Sequence, residues 1–244
     1  MNTFFENIIA WDKEWFCRLG IAHTEFLDGF MTRFTSTAVW LPFFALITFV
    51  VWKNTGNEEC KTKNEEFKSG VCKFFILHSS FFIIILALLL VVLLADQISY
   101  SVFKPVFERL RPSHNPAMAA CVQLVNGYRG GDFGFVSNHA ANTMGVALFT
   151  SLMFRYTPYN VCVFAWALMN CYTRIYLGVH YPLDLIAGAM VGFLVAGAVY
   201  FVWKKITQTK RHKLQTCASL HFEKKDLLLL SASIVLTTVV IAVI

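Results

Sequence analysis

Three short stretches of this chain gather residue types that can handle a charged oxyanion. The first, Lys104-Pro-Val-Phe-Glu-Arg-Leu-Arg111-Pro112, holds two cations seven residues apart. The second, Ser137-Asn138-His139, opens an apolar run after a stretch bearing Gly127, Gly130, Gly131 and Gly134. The third is Thr173-Arg174-Ile-Tyr-Leu-Gly-Val-His180-Tyr-Pro-Leu-Asp184. Lys104, Arg111 and Arg174 offer two guanidinium forks and a point charge to a doubly charged group. The N–H groups of a helix start at Asn138 and His139 would add to them. His180 and Asp184 stand four apart, with Pro182 suited to the first turn of a helix. Asp184 can hold one imidazole nitrogen and leave the other free as a nucleophile. His139 is a second imidazole, available as a general acid for a departing oxygen.

The elements that must position these residues are membrane spans. The 244 residues are 57% hydrophobic and only 15% charged, against about 25% in a soluble domain. Mean hydropathy is +0.56. These values exclude disorder, a small disulfide scaffold and an ordinary soluble enzyme. Six apolar runs read as spans: Phe34–Trp52, Phe74–Ala95, His139–Phe154, Tyr156–Thr173, Leu185–Trp203 and Leu227–Ile244. The third and fourth, separated by Arg155, read as a tight helical hairpin. Gly188, Gly192 and Ala196 recur at four-residue spacing, the pattern of a close helix–helix seam in lipid.

The expected fold is therefore all-α, a polytopic bundle of about six membrane helices forming one domain over residues 1–244. Residues 1–30 read as an interfacial segment, because Glu6, Asp12, Lys13, Glu14 and Arg18 interrupt any signal-peptide core among its Phe and Trp residues. Residues 31–203 read as the catalytic core, 204–225 as a basic loop, and 226–244 as an extra span.

Loop charge orients the bundle. One side receives residues 53–73, 155–158 and 204–226, with 13 of the 21 Lys and Arg residues. The positive-inside rule makes that side cytoplasmic and puts all three motifs on the other. Cys17 and Cys121 also fall on that other side and could pair, but nothing in the sequence fixes their distance, so their pairing stays open. The seven cysteines show no metal-ligand spacing. His78 reads as a packing residue, His114 as a solvated loop residue, and Asp96 equally as a partner of the site or as helix-end solvation.

In order and spacing, Lys104 with Arg111-Pro112, Ser137-x-His139, and Arg174 with His180 and Asp184 resemble the type 2 phosphatidic acid phosphatases, a superfamily that includes the vanadium haloperoxidases. The resemblance spans roughly residues 30–203. It implies that Lys104, Arg111, Arg174, Ser137 and the backbone at Asn138 bind phosphate. By the same likeness His139 protonates the leaving group, His180 forms a phosphohistidine and Asp184 orients it, with no metal or other cofactor.

The implied function is a lipid phosphatase of the bacterial cytoplasmic (inner) membrane, its site facing the periplasm, with a lipid phosphate as its partner and no nucleic acid or obligate protein partner. Undecaprenyl diphosphate ranks first among substrates. Lipid A phosphate and phosphatidylglycerol phosphate or phosphatidic acid follow. Two departures stand out: Val136-Ser137-Asn138-His139 replaces the usual Pro-Ser-Gly-His, and Thr173 replaces a serine. A transporter binding lipid phosphates would need the cations but would have no use for a nucleophile and an acid. Haloperoxidase activity sits poorly with six lipid-facing spans.

Overall fold

The computed structural model describes residues 3–20, 22–56, 70–214 and 222–244, without the side chains of 3, 71–79 and 209–214; the packing role expected of His78 lies outside the described residues. The described chain is mostly helical: α1 (Thr3–Leu19), α2 (Glu25–Phe34), α3 (Leu41–Gly56), α4 (Gly70–Gln97), α5 (Lys104–Phe107), α6 (Asn138–Phe154), α7 (Thr157–Tyr176), α8 (Pro182–Leu214) and α9 (Lys224–Val243). Among the described residues the one extended pairing is an isolated antiparallel bridge between Leu110 and Phe133. The spans Thr37–Thr55, Ser80–Phe107, Pro182–Gln208 and Lys224–Val243 are long and apolar enough to cross a membrane. Helices α6 and α7 complete the bundle between them.

Local sequence explains most boundaries. Thr24 caps α2 by accepting from the Leu27 amide at 3.2 Å. Ser137 caps α6 in the same way, accepting from Ala140. Arg155, in a left-handed conformation, ends α6, and Pro158 starts α7, giving the expected tight hairpin. The first expected span starts at Thr37 instead of Phe34: α2 stops at Phe34, and a 3₁₀ turn over Thr37–Trp40 leads into α3. Helix α8 continues to Leu214, so the segment expected as a basic loop from 204 is helical over its first half. Its lysines and polar residues are good helix formers and need no apolar partner to extend the helix past the bundle.

Helices α6 and α8 make the closest seam. A Cβ at Gly192 would strike the Ala141 carbonyl, and one at Gly188 the Ser137 carbonyl. The small-residue spacing thus brings the backbones of the second and third motifs together. The last helix is integral to the bundle: Lys53 pairs with Asp226 at 2.7 Å, and Arg33 donates to the Ile241 carbonyl at 3.1 Å.

Candidate active site

The segment between α5 and α6 folds back on itself. The Arg111 amide donates to Asp132 O at 3.0 Å and the Gly134 amide to Arg109 O at 2.8 Å. In this short extended stretch alternate side chains share a face, so Arg109 and Arg111 both reach the turn between α7 and α8. That turn is built from the end of α7. Gly178 takes a φ of 70°, and the amides of Val179 and His180 both donate to Arg174 O. His180 follows, and Pro182 then starts α8. Asp184, at the third helical position, reaches back to accept from the Tyr181 amide at 2.9 Å, the geometry of a capping box.

Arg111 Nη1 lies 2.8 Å from His180 Nε2 and donates to Val179 O at 3.0 Å. A guanidinium can only donate. Nε2 therefore carries the lone pair, and the ring proton sits on Nδ1, which faces Asp184 Oδ2 at 3.4 Å. This is an ion-pair distance, longer than the direct hydrogen bond expected of Asp184 from its spacing. Burial, reinforced by Arg111, Arg174 and Lys104, pushes His180 well below the ordinary imidazole value of 6.5 and keeps it neutral. The expected nucleophile thus has its free lone pair aimed at an arginine.

The cations converge electrostatically. His139 feels Arg174, His180, Arg111 and Lys104 together, and burial with the nearby Arg174 depresses even Arg111. Arg174 is fixed by donating to Thr35 Oγ1 and Tyr128 Oη, each at 3.1 Å. The buried Nε atoms of Arg111 and Arg174 find no acceptor among the described residues. Unpartnered buried donors on two guanidinium groups make a receptor for an anion such as phosphate. Lys104, over the Tyr100 ring at 5.3 Å, follows a π-helical turn at Ile98–Phe103 that shifts its direction relative to a regular helix.

The second motif joins the site through the backbone. The Ser137 amide donates to Asp184 O at 3.0 Å, tying the start of α6 to the start of α8. Asn138, where the family has glycine, turns its side chain to α4 and donates to Asp96 Oδ1 at 2.8 Å; Asn142 donates to the same oxygen at 3.3 Å. Asp96 is thereby a partner of the second motif. His114, expected to be solvated, is half-buried in the loop and meets Gly130 O at 3.3 Å. Among the described residues no group of three His, Cys, Asp or Glu side chains gathers as a metal-ligand set.

Four contributors were not legible in advance: Arg109, Asp12, Thr35 and Tyr128. Arg109 Nη1 donates to Asp184 Oδ1 at 2.7 Å, and its Nη2 donates to Asp12 of α1. The two-residue spacing of Arg109 and Arg111 was the available signal for the first. Cys17 and Cys121, whose pairing the sequence left open, form a disulfide; α1 folds back onto the loop between the first two motifs, which brings the two sulfurs together.

A helical membrane bundle that gathers a buried histidine and three cations is suited to a phosphate group, and comparison with known proteins gives it a family. The family model of the PAP2 superfamily matches residues 82–208. A lipid A 4'-phosphatase of Bacteroides thetaiotaomicron is 38% identical over 187 residues, 76% of this chain and 73% of that protein. A lipid A 4'-phosphatase of Porphyromonas gingivalis is 35% identical over 199 residues, 81% of this chain and 75% of that protein. The crystal structure of a transmembrane PAP2-type phosphatidylglycerolphosphate phosphatase from Bacillus subtilis aligns at a TM-score of 0.49 and 17% identity, over 83% of this chain and 87% of that one. The chain belongs to the PAP2 superfamily. It is a membrane lipid phosphatase, a phosphoric monoester hydrolase.

Proposed function

We propose that the chain removes phosphate from a lipid phosphate monoester, lipid A first among substrates, at the periplasmic face of the cytoplasmic membrane and through a phosphohistidine on His180. The observation that carries this reading is the place of His139. With Asn142 it lines a cavity of about 690 Å³ whose other walls include Trp40, Phe44, Leu86, Leu89, Leu93 and Trp166. Leu86, Leu89 and Leu93 are largely exposed on the bundle's outer surface. An acyl chain suits such walls, and its phosphate would then lie among Arg111, Arg174 and Lys104. A water-soluble phosphate ester would leave the cavity unused.

On this reading the chemistry runs in two steps, with Arg111 turning from His180 Nε2 to the phosphate oxygens as substrate binds. His180 Nε2 attacks phosphorus while the bond to the lipid oxygen breaks, and His139 delivers its proton to that oxygen. Asp184, 3.4 Å from Nδ1, stabilises the positive ring that forms. Water then attacks phosphorus, His139 takes the water's proton, the P–N bond breaks with its electron pair returning to His180, and inorganic phosphate leaves. Ser137 and the backbone at Asn138 assist the cations in holding the phosphate oxygens.

The names of the relatives favour lipid A over the diphosphate that the sequence alone ranked first. The test is phosphate release by purified protein from lipid A, undecaprenyl diphosphate, phosphatidylglycerol phosphate and phosphatidic acid, with His180→Ala beside it. Lipid A should turn over fastest, losing one phosphate by mass spectrometry. A tenfold preference for the diphosphate would overturn the substrate, and full activity in His180→Ala the mechanism.

A further inference from the structure

Helix α1 has two contrasting faces. Phe4, Phe5, Ile9, Trp11 and Trp15 are exposed, as in a helix lying in a membrane interface. Asp12 on the same helix is 0% exposed and Phe16 is 3% exposed. A carboxylate so deeply covered is costly unless its oxygens are paired. Both are. Oδ2 accepts from Arg109, and Oδ1 accepts from the Leu183 amide at 2.9 Å. Leu183 lies in the first turn of α8, where amides lack helical partners, one residue before Asp184.

Arg109 therefore spans two carboxylates with one guanidinium, Asp12 on one arm and Asp184 on the other. Its plane lies 4.2 Å from the Tyr181 ring, which Phe16 of α1 meets edge-on at 5.6 Å. Two further ties hold α1 in place: the Cys17–Cys121 disulfide and a hydrogen bond from Tyr172 Oη to Leu19 O at 3.2 Å. Without Asp12, Arg109 keeps only its Asp184 arm and the half-buried Leu183 amide loses its acceptor. The carboxylate facing His180 then loses its fixed position.

We propose that Asp12 is a positioning residue of the active site, acting through Arg109 on Asp184, and that the Cys17–Cys121 disulfide keeps it seated, so that turnover depends on the thiol–disulfide state. The inference rests on the reading of His180 and Asp184 as the reacting pair. An amphipathic helix outside the three motifs thereby becomes part of the catalytic apparatus. Reduction breaks the S–S bond to two thiols at the expense of an external dithiol, and frees α1 to lift.

The test uses the purified full-length protein with a lipid phosphate, oxidised or treated with dithiothreitol. Asp12→Asn keeps the size of the side chain and an acceptor for Leu183 but removes the charge on Arg109. It should lower kcat at least tenfold, with KM within twofold and the thermal unfolding midpoint little changed. Reduction should lower wild-type kcat several-fold but have little further effect on Asp12→Asn, because both act through one contact. Cys17→Ser should match reduced wild type.

Wild-type kcat in a folded Asp12→Asn overturns the positioning role. Equal proportional losses on reduction in wild type and Asp12→Asn overturn the link between disulfide and carboxylate. Should Asp12→Asn not purify, unchanged kcat in fully reduced wild type also overturns the proposal. His180→Ala separates the two readings. If it is inactive while Asp12→Asn is normal, only the positioning role fails; if it is active, the assignment of the reacting pair fails first.

Discussion

Replacing Gly134 by alanine adds one methyl group between Asp184, Arg111 and His180. A Cβ there meets Asp184 Oδ2 at 3.0 Å, Arg111 Cγ at 3.3 Å and His180 Nδ1 at 3.6 Å. Gly134 has no positive φ, so alanine brings no backbone strain and its effect is local. Ordinary contact begins near 3.4 Å, so the carboxylate oxygen must retreat by about 0.4 Å. A misplacement of about 1 Å costs roughly a hundredfold in rate, which scales to about sixfold here. Retreat also stretches the bond that Asp184 accepts from Tyr181, worth at most about 1 kcal/mol. The expected outcome is a roughly tenfold fall in kcat/KM with a nearly unchanged unfolding midpoint. Gly131→Ala is the control, since a Cβ there has no neighbour within 4 Å. Phosphate release by the two variants measures the difference. Unchanged activity in Gly134→Ala, or an equal loss in Gly131→Ala, would refute the placement of Asp184 against His180.

Because burial and the cations push His180 below 6.5, its neutral form persists as pH falls. The acid limb of kcat/KM, corrected for the phosphate's own ionisation near 6, should therefore lie below 6.5; a limb above that value would contradict a depressed His180. His139→Ala should lose roughly a hundred- to ten-thousand-fold with an alkyl phosphate, whose leaving oxygen needs a proton, and far less with an aryl phosphate. A uniform loss would make His139 a phosphate ligand instead. In a background without accessible native cysteines, Gly131→Cys should react with an impermeant thiol reagent from outside the cell and Thr207→Cys should not. The reverse pattern would invert the topology that loop charge implies.

The spans were legible because lipid imposes one rule along each stretch of chain, and apolar run length reports it. The three motifs were legible because each is local: His180 and Asp184 share one turn, and Arg111-Pro112 is contiguous. What remained hidden lies between distant segments. Asp12 meets Arg109 across 97 positions and Leu183 across 171. In sequence it is one of several charges on an amphipathic helix, no different in kind from Glu14, which only pairs with Arg18 one turn on. Thr35 and Tyr128 hold Arg174 from two other segments, and no periodicity announces either. The disulfide depended on α1 folding over the loop, a tertiary fact. Asn138 departs from the family pattern, and what its side chain does depends on another helix, where Asp96 draws it to α4.

The covalent intermediate is the most direct test of the mechanism. Purified protein is mixed with a lipid phosphate labelled in its phosphorus, quenched in alkali within milliseconds to seconds, and its label located by peptide mapping. Alkali preserves a phosphohistidine and acid destroys it. Wild type should carry alkali-stable, acid-labile label on the peptide containing His180, and His180→Ala should carry none. Label retained in folded His180→Ala, or mapped in wild type to any other residue, would contradict His180 as the nucleophile.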